Sequence, residues 1–155
     1  SYEKALEINP KSAEVLSNLG AIAKDAEDWN SSLKYFKEAL KIKPDYAEGH
    51  SNLGVTLQEL GRLEEAEASY MQSIELKPDL AEAHYNLGNA LHELGRLEEA
   101  EATVRQAIAL QSDFSEAHSF LGSVLLKKGQ HQEGLNELLI GDGIISFDLK
   151  NGVSI

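Results

Sequence analysis

The tripeptide Asn-Leu-Gly returns every 34 residues, at Asn18-Leu19-Gly20, Asn52-Leu53-Gly54 and Asn86-Leu87-Gly88, and Phe120-Leu121-Gly122 continues the register in altered form. A period of this length describes an array of small units in which each buries its apolar face against the next, rather than a globule with one closed core. The three prolines keep the same interval, at Pro10, Pro44 and Pro78, with Ser112 where a fourth would fall. The nine residues from Leu60 to Ala68 recur unchanged from Leu94 to Ala102.

Inside each period the apolar positions follow helical spacing twice, with a break between. Leu53, Leu57 and Leu60 form one stripe, and Gly61 ends it, because glycine accepts a left-handed cap at little cost. Leu63, Ala66, Tyr70, Ile74 and Leu76 form a second stripe, closed by Pro78. The same pairing is expected at 13–26 with 30–43, 81–94 with 97–110, and 115–128 with 131–140, and Tyr2 to Asn9 copies a second helix alone. Each column of the register has a physical role. Ser32, Ala66, Ala100 and Gly134 are small where paired helices approach. Gly20, Gly54, Gly88 and Gly122 mark a second close crossing, despite a helix cost of about 1 kcal/mol per interior glycine. Tyr2, Phe36 and Tyr70 form an aromatic column, continued by Val104 and Leu138, expected to fill space between neighbouring repeats.

These columns resemble the tetratricopeptide repeat, a helix–turn–helix unit, over residues 2–140. The resemblance implies an all-α fold, a right-handed superhelical array of antiparallel helix pairs. Its parts would be a half-repeat at 1–12, repeats at 13–46, 47–80 and 81–114, and a degenerate repeat at 115–140. Two departures stand out: Glu27 occupies the place of the capping glycines Gly61, Gly95 and Gly129, and the last repeat carries Gly134 and Gly141 where alanine is usual. The tail, 141–155, alternates Ile145, Phe147 and Leu149 with Ser146 and Asp148, and Asn151-Gly152 is a turn signal. Two readings stay open for it: a capping segment such as a β-hairpin, or the start of a following domain.

The net charge of −12, with 14 basic residues scattered along the chain, argues against nucleic acid and anionic membranes as partners and favours a neutral or basic peptide. With no cysteine, neither disulfides nor thiolate metal sites can form, and a cytoplasmic location is the default expectation.

The resemblance implies a peptide-binding groove lined by the first helix of each repeat. Asn18, Asn52 and Asn86 would stand along it as a ladder, similar to that in the repeat domain of O-linked N-acetylglucosamine transferase. A side-chain amide both donates and accepts, so it can pair with the backbone of any extended peptide. Ser17, Ser51, Tyr85 and Asn89 would add contacts that vary from rung to rung, and Phe120 would end the ladder on an apolar note. Glu48 and Glu82, in a column with Glu14 and Glu116, suit the positive end of each first helix and could also form an acidic rim that attracts Lys or Arg.

No catalytic site is expected. His50, His84 and His118 form a column, but equivalent side chains in adjacent repeats lie about 10 Å apart, whereas a zinc ion requires every ligand within about 2.1 Å. No phosphate loop, dinucleotide fingerprint or nucleophile elbow occurs, so no cofactor is implied. The expected function is a non-catalytic protein-interaction scaffold. The alternative is a substrate-recruiting region of a larger enzyme, glycosyltransferase- or methyltransferase-like. End-to-end self-association through exposed stacking faces is a further expectation.

Overall fold

The computed structural model describes residues 12–143 and the backbone of two short strands beyond them. The half-repeat read at 1–12, with Tyr2, falls outside the described residues except for Ser12. Eight helices are described: α1 (Ala13–Asp25), α2 (Trp29–Ile42), α3 (Ala47–Glu59), α4 (Leu63–Leu76), α5 (Ala81–Glu93), α6 (Leu97–Leu110), α7 (Ser115–Lys127) and α8 (His131–Gly141). None of them is long and apolar enough to cross a membrane. The chain divides into two compact units, Ser1–Pro78 and Asp79–Ile155. The first holds the pairs α1/α2 and α3/α4, the second α5/α6 and α7/α8.

Helix ends follow from local chemistry. Ser12 and Asp28 cap α1 and α2, their side-chain oxygens accepting from Val15 N–H at 3.5 Å and Ser31 N–H at 3.2 Å. Each first helix closes with paired backbone bonds: Gly61 N–H to Gln58 O at 2.8 Å and Arg62 N–H to Leu57 O at 2.9 Å, for example. That closure places Gly61, Gly95 and Gly129 in the left-handed region at φ 73°, 78° and 80°. After α1 the same closure forms without glycine, and Glu27 is held at φ 57°. The identical nine-residue segments fold alike: Arg62 grips Glu65 through two bonds of 2.7 Å, and Arg96 grips Glu99 at 2.8 and 2.6 Å.

The glycine and aromatic columns prove to be two sides of one contact. A Cβ added at Gly20 would stand 2.9 Å from Phe36 Cε1, and one at Gly54 would stand 2.5 Å from Tyr70 Cε1. Both rings are fully buried. They therefore pack within their own helix pair, against the glycine of the first helix, a contact that the expected packing between repeats did not include. In the last pair backbone meets backbone: a Cβ at Gly122 would come 2.7 Å from Gly134 O, and one at Gly134 would come 2.9 Å from Gly122 O. Gly134 is thus demanded by the closeness of α7 and α8. Its departure from alanine is not simple decay.

Successive pairs within a unit are joined by their own contacts. In the first unit, Ser32 on α2 and Thr56 on α3 share a buried hydroxyl–hydroxyl bond of 2.9 Å. In the second, Val104, Ala107, Ala117, Leu121 and Leu125 form a buried cluster against which Tyr85, Ile108, Phe114 and Phe120 pack. Beyond α8, β1 (Ser146–Asp148) and β2 (Gly152–Ser154) pair antiparallel, with Phe147 opposite Val153 and Asp148 opposite Gly152. Gly152 is consequently a strand residue, and the connection falls at 149–151, outside the described residues.

Candidate peptide-binding surface

In the first unit, Asn18 on α1 and Asn52 on α3 occupy the same register position, and both are half-buried. The Asn18 side-chain amide has no hydrogen-bond partner among the described residues, whereas Asn52 Oδ1 accepts from Lys24 Nζ at 3.5 Å. Ser17 and Ser51 depart from expectation. At 6% and 7% exposure they are buried in the helix packing, since a step of one residue turns the side chain about 100° around the helix, away from the asparagine's face. Glu48 is exposed but engaged, accepting from Lys77 Nζ at 3.1 Å. Its own backbone N–H, then Lys77, hold its carboxyl below the ordinary range. It therefore forms part of an internal ion pair rather than an open acidic rim. The neighbouring C-terminal lysine of α2, Lys43, lies over the Tyr46 ring with Nζ 5.3 Å from the centroid. With Ala13 and Glu14 these two residues line a cavity of about 300 Å³.

The second unit brings more of the expected residues together. Glu82, Tyr85 and Asn86 of α5 line a cavity of about 350 Å³ with Gln111, Phe114 and Glu116. Tyr85 meets Phe114 at 5.0 Å between centroids with the planes at 52°, and Phe120 edge-on at 6.0 Å. Phe120 also meets His92 edge-on at 5.4 Å. Asn89 donates to the Tyr85 carbonyl one turn back, at 3.4 Å. Glu82 is exposed, Asn86 half-buried, and neither has a hydrogen-bond or ionic partner among the described residues.

Sequence reasoning did not pick out Phe114, Gln111, His92 or Lys127. The last two meet at 3.0 Å, Lys127 Nζ donating to His92 Nε2. The column signal was present for Phe114 and Gln111, which stand in register with Tyr46 and Lys43. The histidine column has a structural role that spacing did not disclose. His50 Nε2 lies 2.8 Å from Pro44 O and His118 Nε2 lies 2.9 Å from Ser112 O. A carbonyl only accepts, so each ring donates there and ties its helix to the preceding turn. In the last pair, Glu137 faces the other ring nitrogen of His118 at 2.6 Å.

Family profiles described as TPR repeat match residues 24–61 and 57–95, and one described as tetratricopeptide repeat matches 81–114. Together they cover more than half of the chain. This protein belongs to the tetratricopeptide repeat family. Solved structures agree with that assignment, and the fold is an all-α TPR solenoid. MamA superposes with a TM-score of 0.82 at 22% identity, over 92% of this chain and 83% of that one. TTC0263, a thermophilic TPR protein of Thermus thermophilus, gives 0.78 at 28% identity, over 89% and 78%. YrrB, described as a TPR protein with an unusual peptide-binding site, gives 0.74 at 22% identity, over 92% and 74%. No curated protein matches the chain in sequence.

Proposed function

We propose that this chain is a non-catalytic scaffold that binds extended peptide segments on the first-helix faces of its repeats. The observation that carries the reading is the state of the asparagines. Asn18 and Asn86 are half-buried, stand at one register position, and leave both donor and acceptor unused among the described residues. Neither amide is among the buried unpartnered polar groups, so water satisfies both in the free chain, and a ligand with matching donors and acceptors can take that water's place. A peptide backbone supplies both kinds. Around Asn86, the rings of Tyr85 and Phe114 offer apolar area, and the unpaired Glu82 favours neutral or basic partners over acidic ones. The likeness to YrrB, a protein described by its peptide-binding site, supports the same reading.

Random peptides displayed on phage and selected against the whole chain provide the test. Each amide–backbone bond is worth about 1 kcal/mol, so Asn86→Ala, which removes a donor and an acceptor, should weaken peptides bound to the second unit by roughly five- to thirtyfold. Asn18→Ala should do the same to peptides bound to the first. The melting temperature should stay unchanged in both. Selected peptides that bind both variants with native affinity would remove the amides from the proposal.

A further inference from the structure

The C-terminal capping residues of α2, α4 and α6 form one column: Lys43, Lys77 and Gln111. In the first unit both lysines are used internally. Lys43 sits 5.3 Å over the ring of Tyr46, and Lys77 bonds Glu48 at 3.1 Å. The register places Glu82 where Glu14 stands, Glu116 where Glu48 stands, and Phe114 where Tyr46 stands. The cation over the ring is missing, because neutral Gln111 stands where Lys43 stands. The second unit thus repeats the aromatic face and both carboxylates around its cavity of about 350 Å³ and leaves out the ammonium that the first unit carries within its own chain. Neither Glu82 nor Glu116 has an ionic partner among the described residues, and Tyr85 sets a second ring beside Phe114 at 5.0 Å.

We infer that this cavity receives the cationic side chain of an arginine or lysine carried by a bound peptide. The inference rests on the peptide-binding reading above and names one chemical feature of the partner. A guanidinium suits the place especially well: it stacks flat on an aromatic face and bonds a carboxylate through two N–H groups at once. Asn86 and Gln111 add amide oxygens, which accept from the N–H groups left over. Lys43 over Tyr46 is the internal precedent, a cation held on the same ring position by this chain's own sequence.

The test uses the whole chain, labelled with nitrogen-15, and two blocked pentapeptides, Gly-Ser-Arg-Ser-Gly and the same peptide with citrulline, the neutral isostere of arginine, at its centre. The amide signals of Tyr85, Gln111 and Phe114 should move with the arginine peptide, and the citrulline peptide should bind at least about tenfold more weakly. Glu82→Gln with Glu116→Gln should cause a similar loss. So should Gln111→Lys, which restores the internal ammonium and fills the place. Equal binding of the two peptides, or arginine binding unaffected by either variant, would overturn the cation pocket. So would the absence of any movement at these three signals up to the solubility limit of the arginine peptide. The phage-selected peptides decide the broader reading separately: if they still require Asn86 while the arginine peptide fails, only the cation pocket falls.

Discussion

The ring of Tyr70 packs against Gly54, so close that a Cβ at Gly54 would fall 2.5 Å from Cε1 and 2.7 Å from Cδ1. The ring is wholly buried and its hydroxyl donates to Gln58 Oε1 at 2.9 Å, so it cannot swing aside. Gly54→Ala should therefore destabilise the first unit by about 1–3 kcal/mol, although alanine is the better helix former. Urea unfolding measures this, and a Tyr70→Leu background should shrink the penalty because the two positions are coupled. An unchanged unfolding midpoint would mean that the helices part without cost.

Glu27 takes the left-handed conformation that glycine takes at Gly61, Gly95 and Gly129. For an L-residue that geometry costs about 1–2 kcal/mol, while glycine returns about 0.5–1 kcal/mol as lost chain entropy. The expected result of Glu27→Gly is a net gain of about 0.5–1 kcal/mol. The converse, Gly61→Glu, should lower the midpoint. Thermal melting of the two variants beside the parent chain checks both signs.

Glu101 joins α6 to the end of α7, accepting from Lys128 Nζ at 2.6 Å and from Arg105 Nη2 at 3.0 Å, while Arg105 also reaches Glu133 at 2.6 Å. The Lys128 bond, more than any other influence, holds the Glu101 carboxyl below its ordinary range. A carboxylate depressed in the folded state adds stability that is fully present above its unfolded value, about 4.3. That stability drains away as pH falls through the lower, folded value. Melting curves from about pH 7 to about pH 3 should show the parent losing more stability than Glu101→Gln. Parallel curves would mean that the pairing contributes nothing.

Much of the architecture was legible in advance because its causes are local. Gly61, Gly95 and Gly129 mark the ends of first helices through a backbone conformation, and the apolar stripes mark the faces that pack. The candidate surface was harder to read. Ser51 and Tyr85 share a column, yet the serine is buried and the tyrosine helps to line a cavity, since each column meets different neighbours in each repeat. The hydrogen bonds from His50 to Pro44 and from His118 to Ser112 join residues six apart, and periodicity alone could not say what those rings touch.

By itself the sequence determined the repeat length, the helix pairs, their caps and the small-residue columns, all of which depend on chain chemistry within a few residues. Only the tertiary structure decided that the glycine and ring columns meet within one pair, that Glu48 is taken by Lys77, and that Glu82 stands open beside Tyr85 and Phe114. Those outcomes depend on which side chain stands across a helix interface from residues some 16 to 32 positions away in the chain. An internal partner turns a charged position into scaffold, and a neutral residue in its place leaves the same position open to a ligand.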